Sequence, residues 1–167
     1  MNEPPSNGSE PSPSPRWPVE AAALVGLALA VGSVVRVWGE LPERIPIHFG
    51  LSGRPDAWEG RGWVLTLPVL SVLLYAALTL VQRLPGRWYN YPVRITEENR
   101  DRQERLARDL IRWLKAALMG LFAHLTVGVL RTALGDVAGL GAWTVPAWIG
   151  VMTGLVVVYL VRARRAR

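Results

Sequence analysis

Four apolar stretches, at about residues 17–38, 63–82, 113–134 and 143–161, divide this chain. Each is about as long as a helix that crosses a bilayer. Half of the 167 residues are hydrophobic, a share that a soluble domain could also bury in a core. The distribution argues against that alternative. Residues 18–35 carry only Glu20 as a charge, and residues 63–82 carry none. A soluble four-helix bundle would need a polar face on each helix. The expected fold is therefore all-α: a polytopic membrane domain of four transmembrane helices over residues 17–161.

Residues 1–16 are rich in Pro, Ser, Asn and Glu and hold no apolar residue beyond Met1. Such a segment buries too little surface to offset chain entropy and is expected to be a disordered tail. Ala28-Leu29-Ala30 resembles a signal-peptide cleavage site, but the leader is acidic except for Arg16, and the apolar run continues to Val35. Retention as the first span is the better reading. Cysteine is absent, so disulfides, zinc-thiolate sites and thiol nucleophiles are not expected. The net charge of +6 comes from basic residues that flank apolar spans. Attraction to anionic lipid headgroups explains it more simply than nucleic-acid binding does.

Basic residues are unevenly divided between the two sides. Fourteen lie with the termini and the middle loop: Arg16, Arg83, Arg87, Arg94, Arg100, Arg102, Arg105, Arg108, Arg112, Lys115, Arg162, Arg164, Arg165 and Arg167. Five lie opposite: Arg36, Arg44, Arg54, Arg61 and Arg131. The positive-inside rule then places both termini in the cytoplasm. Trp17, Trp38, Trp63, Trp113 and Trp143 mark span ends, where an indole prefers the headgroup level. Residues 162–167 read as a basic cytoplasmic tail.

Within the spans, Ala116, Gly120, His124 and Gly128 recur every fourth residue in the third, Gly150 and Gly154 mark the fourth, and Ala22, Gly26 and Ala30 the first. Small residues at that spacing permit close helix approach, and contacts among these three faces are the packing expected. His124 should then point at protein, as a neutral hydrogen-bonded histidine or as a proton relay or ligand contact. Arg131 and Arg36 would either line the outer end of the bundle or snorkel to the interface.

Two loops carry more pattern than linkers need. In the outer loop, Ile45, Ile47 and Phe49 alternate with Pro46 and His48, as in an extended segment buried on one face. His48 and Asp56 are its sharpest polar residues, an incomplete metal set suited better to structural hydrogen bonding. In the cytoplasmic loop, Thr96 is a candidate N-cap followed by Glu97 and Glu98. From there a helix is expected to run unbroken into the third span. Glu98–Arg102, Asp101–Arg105 and Glu104–Arg108 are supporting pairs, and Leu106, Leu110, Trp113 and Leu114 the buried stripe. Arg105, Arg108, Arg112 and Lys115 would line another face, solvated or turned to headgroups or an acidic partner.

The pattern Leu-Pro-x-x-Ile-Pro-x-His-Phe-x-x-x-Gly-x-Pro-Asp-x-Trp at 41–58 and Asn-Tyr-Pro-x-x-Ile-Thr-Glu-Glu-Asn at 90–99 resemble a bacterial integral-membrane family of unknown function. That domain also forms the N-terminal part of SdpI-type immunity proteins. The resemblance marks Pro46, His48, Gly53, Asp56 and Trp58 in the outer loop, and Asn90, Pro92, Thr96 and Asn99 in the cytoplasmic loop, as signature positions. In the immunity proteins it implies protection of a producing cell from its own toxic peptide and sequestration of a transcriptional repressor at the membrane. SdpI-type proteins continue into a further membrane section, and the four spans here would depart from that pattern.

The expected function is thus a non-enzymatic protein of a bacterial cytoplasmic membrane, sensing or conferring resistance to extracellular peptides or envelope stress. Membrane lipids, an extracellular peptide and a cytoplasmic regulator are its expected partners; no cofactor, metal or nucleic acid is expected. Transport by a small homo-oligomer through His124, Arg131 and Arg36 is the alternative, and a membrane enzyme using His48 with Asp56 the third reading. A reporter enzyme active only in the periplasm, fused after Arg167, should stay silent; activity would invert the assignment of loops to faces.

Overall fold

The computed structural model describes residues 16–167, so the expected disordered tail lies outside the described residues apart from Arg16. Four helices are long and apolar enough to cross a membrane: α1 (Trp17–Val37), α2 (Thr66–Arg83), α3 (Arg100–Ala133) and α4 (Thr144–Arg165). A 3₁₀ turn, Arg61–Leu65, leads into α2. The chain is a mostly helical, multi-pass membrane protein.

Each helix begins where its sequence allows. Pro18, Pro68 and Pro146 fall in the first turns of α1, α2 and α4, where a missing N–H costs no intrahelical bond. Ahead of α3, the Thr96 hydroxyl accepts from the Asn99 backbone N–H (3.3 Å) while the Asn99 side chain accepts from that of Thr96 (2.9 Å). This is the reciprocal logic of a capping box, with Asn in place of Glu. The Thr96 carbonyl also accepts from Arg100, so the helical turn starts there.

At 34 residues, α3 is roughly 51 Å long, against a hydrocarbon core of about 30 Å. Its first turns therefore project beyond the membrane. Of the three ion pairs expected on this extension, Glu104–Arg108 forms at 3.5 Å. Glu98–Arg102 and Asp101–Arg105 do not pair, and Arg112 turns back to Asp109 instead.

One element departs from an all-α fold. Residues Arg44–Phe49 (β1) and Pro55–Gly60 (β2) form an antiparallel hairpin between α1 and α2. The expected alternation of burial breaks within β1: Ile45 and Pro46 are both buried, and Ile47 is exposed. The register is irregular between Pro46 and Phe49. Proline cannot donate to the ladder, and a local bulge re-aims the residues that follow it. Ile45 and Leu41 join Val34, Val64, Val129 and Leu130 in a core that seats the hairpin on the ends of α1 and α3. We call this the hairpin end of the bundle and the opposite one the terminal end.

In the bundle, α3 is central and packs against α1, α2 and α4. The α1 face is Ala23, Gly26, Ala30 and Val34, so Ala23 replaces the expected Ala22, which is exposed. A Cβ on Gly26 would lie 2.8 Å from the Met119 backbone carbonyl carbon. The buried residues of α3 include Ala107, Lys115, Met119, Ala123 and Thr126, of which Met119 and Lys115 meet α1. The expected stripe of Leu106, Leu110, Trp113 and Leu114 is not the buried one, and Trp113 is exposed. In lipid a large apolar side chain gains little by turning inward, whereas small residues let backbones meet.

The small-residue face of α3 meets α4 rather than α1. Trp148 covers Gly120, and Leu140 fills the notch at Gly128. Gly150 and Gly154 of α4 face open space, so that motif makes no close contact among the described residues. Gly26→Val should force α1 and α3 apart at a cost of about 2 kcal/mol, whereas Gly32→Val, with nothing within 4 Å, should be nearly neutral. Unfolding of the purified variants in detergent checks the contrast; equal stability would place the helix contact elsewhere.

Candidate functional site

The hairpin gathers the first set of signature residues. His48 Nδ1 lies 2.5 Å from Asp56 Oδ1, joining β1 to β2, with both side chains exposed. Gly53 at the turn has φ +74°, and a Cβ there would come within 2.3 Å of Gly141. Its carbonyl accepts from the Leu140 N–H at 2.8 Å. Glycine is thus required twice at this position, for the left-handed backbone and for the approach to the α3–α4 loop. Pro46 is buried and pairs in register with Trp58, which is half-exposed. Among the described residues no three His, Asp or Glu side chains gather in a metal-binding group.

Beneath the hairpin lies a cavity of about 240 Å³ between β1, the start of α2 and α3. Its walls are apolar, including Ile45, Pro46, Ile47, Trp63 and Val129. Thr126 also lines it, is 1% exposed, and its hydroxyl has no partner among the described residues. A membrane-helix threonine usually bonds back to its own helix, as Thr132 does to Gly128. A free, buried hydroxyl in an apolar cavity costs free energy until something bonds to it.

The second signature segment is ordered against α3. The Asn99 amide donates to the Arg94 carbonyl at 3.0 Å and is buried. Tyr91 donates to Gly86 and Tyr89 to Val81, both at 2.8 Å. Arg108 lies over the Tyr89 ring and donates to the Gln82 carbonyl at 2.6 Å, an orphan acceptor at the end of α2. Burial raises the Tyr91 phenol above its ordinary range, and the Glu104 carboxylate adds to the effect. Asn90 and Pro92 are exposed.

Of the intramembrane polar residues, His124 is placed otherwise than expected. His124 is exposed, meeting Trp148 edge-on with ring centroids 6.3 Å apart. Arg36 and Arg131 are exposed and make no ion pair among the described residues. None of the three lines the interior of the bundle. The interior charge is Lys115, expected on a basic outer face but only 1% exposed. Its ammonium donates to Glu20 Oε1 at 2.7 Å and to Thr79 Oγ1 at 3.1 Å, and lies 4.6 Å from the centre of the Tyr75 ring. Tyr75 donates to the same Glu20 oxygen at 2.6 Å. One site thus ties α1, α2 and α3 together. The signal was present in the sequence: Glu20 is the lone acidic residue of its span, Lys115 lies two residues past Trp113, and an ionisable group at that depth needs a partner.

With this geometry in place, the comparisons can be weighed. Residues 23–72 match the family described as a domain of unknown function, DUF1648. The matched segment runs from α1 through the hairpin into α2; it includes the His48–Asp56 pair and Gly53 and stops short of Lys115 and Asn99. An uncharacterised protein of Archaeoglobus fulgidus is 28% identical over 120 residues, 65% of this chain and 65% of that protein. The chain therefore spans about two thirds or less of that relative's length. No solved structure matches. Both similarities fit a membrane family of unknown function.

Removing one partner of a buried ion pair strands the other. Glu20→Gln should cost about 3 kcal/mol, because Lys115 is fully enclosed, and Lys115→Met should cost less, because Glu20 is a third exposed. The double variant should be more stable than the sum of the two losses predicts. A double-mutant cycle on unfolding in detergent checks this; additive losses would mean the two charges are not coupled.

Proposed function

We propose that this is a non-enzymatic bacterial membrane protein that senses or gives resistance to extracellular amphipathic peptides, with the hairpin end outside and both termini in the cytoplasm of a cytoplasmic-membrane protein. The charge count supports the orientation, fourteen basic residues against five. The observation that carries the reading is the cavity beneath the hairpin with its unbonded Thr126 hydroxyl. It suits an apolar side chain that brings one hydrogen-bonding group. Leu51 at the hairpin tip is fully exposed, and Ile47, Trp58 and Trp63 are also substantially exposed, forming an apolar crown on which a peptide can lie. The SdpI-type resemblance supports immunity or signalling of this kind, in which the projecting start of α3 would contact a cytoplasmic regulator.

Transport by a homo-oligomer is the second reading. Its support lies in the buried Glu20–Lys115 pair and the unpartnered Gly150–Gly154 face, not in the residues first considered for it.

Deletion of the gene should increase sensitivity to envelope-active peptides, and the wild-type gene should restore protection. Thr126→Val, which keeps the volume and removes the hydroxyl, should weaken that protection roughly fivefold at an unchanged protein level. Unchanged sensitivity across a peptide panel would remove the proposal, and full protection by Thr126→Val would remove the cavity from it.

A further inference from the structure

At the terminal end a larger cavity, about 660 Å³, opens between the start of α1, the first turns of α3 and the end of α4. Five arginines line it: Arg16, Arg102, Arg105, Arg112 and Arg162. The carboxylate among the lining residues, Asp109, is engaged by Arg112. Arg16, Arg102, Arg105 and Arg162 make no ion pair among the described residues. Four guanidinium groups, from the N-cap of α1 and from α3 and α4, therefore line one cavity without an ion pair among the described residues. A free protein gains nothing from that arrangement, because like charges repel and each long side chain stays mobile.

The deeper walls change character. Leu110, Trp113, Leu155 and Val158 continue the cavity along α3 and α4 as an apolar surface, and both helices there belong to membrane-crossing segments. We propose that this cavity is a specific site for an anionic phospholipid, its phosphate held by Arg102, Arg105 and Arg162 and one acyl chain laid between α3 and α4. Guanidinium groups match phosphate oxygens in a bidentate manner, and basic pockets between membrane helices bind acidic headgroups. The apolar walls favour a lipid over free phosphate, which would leave them unused. Lipid also accounts for the loose seat of α4, whose buried residue among those described is Ala163: the occupant completes the contact between α3 and α4.

The test is native mass spectrometry of the full chain released from nanodiscs of mixed phosphatidylglycerol and phosphatidylcholine. The wild-type protein should retain phosphatidylglycerol at least about tenfold over phosphatidylcholine, given roughly fivefold per basic residue engaged. Arg102→Gln/Arg105→Gln/Arg162→Gln should abolish the preference, and the corresponding lysine variant should keep most of it. Arg164→Gln/Arg167→Gln, outside the cavity, serves as the control and should match wild type. Equal retention of both lipids by wild type, or preference unaltered in the glutamine variant, overturns the proposal. Displacement of phosphatidylglycerol by millimolar inorganic phosphate also overturns it, in favour of a free-anion site. If the glutamine variant misfolds, the lysine variant decides: loss of preference there, with charge retained and fold intact, counts against an electrostatic lipid site.

Discussion

The close approach of α1 to α3 at Gly26 and Met119 is the constraint on which the other features rest. Lipid offers no hydrophobic drive to hold two helices together, so backbone proximity and interior polar bonds must do so. The small side chains of Ala23, Gly26 and Ala30 let the helices meet along a shared face. One helical stretch toward the terminal end, the same proximity brings Glu20 within 2.7 Å of Lys115. Toward the hairpin end it places Val34 beside Val129 and Leu130, and this platform receives Ile45 and Leu41. A bulkier residue at Gly26 would therefore disturb an ion pair and a hairpin it does not touch.

The two ends of the bundle are held in order by different means. At the hairpin end, order comes from a local sheet, the exposed His48–Asp56 clasp and the Gly53–Gly141 contact. Its free surface sets Ile47, Leu51, Trp58 and Trp63 among exposed charges such as Arg44, Arg54 and Glu59. At the terminal end, order comes from side chains that satisfy helix ends, as when Gln103 donates to the Ala163 and Ala166 carbonyls at 2.9 and 3.1 Å. Its free surface is a concentration of arginine.

The sequence makes the four spans legible because length and the absence of charge are enough to define them. Which face of each span turns inward is hidden, for the same physical reason. Leucines outside a membrane bundle are as comfortable as leucines inside it, so the Leu106–Leu110–Trp113 periodicity does not mark the core: the two leucines are half-buried and Trp113 is exposed. Lys115 was legible as a juxtamembrane charge but not as an interior one, because its partner lies 95 residues away on α1. His124 shares helical spacing with Gly120 and Gly128, yet that stripe meets α4, whose own contact is Trp148. The hairpin was legible as extended structure; the register irregularity after Pro46, which turns Ile47 outward, depends on pairing with β2.

The position of α4 follows from what holds it. Near its start, the Leu140 N–H bonds to Gly53, and Gly139 and Gly141 pass within backbone contact of the hairpin turn. Along its length Trp148 rests on Gly120. At its end Gln103 holds the last turn. Between Trp148 and Ala163 no residue of α4 is fully buried, so this stretch leans on α3 without a continuous seam. A helix tied at its ends and free in its middle can shift with whatever fills the space beside it, because sparse interior contacts mean low local stability. The cavity at the terminal end and the Gly53 contact at the hairpin end thus lie beside the two ends of this stretch.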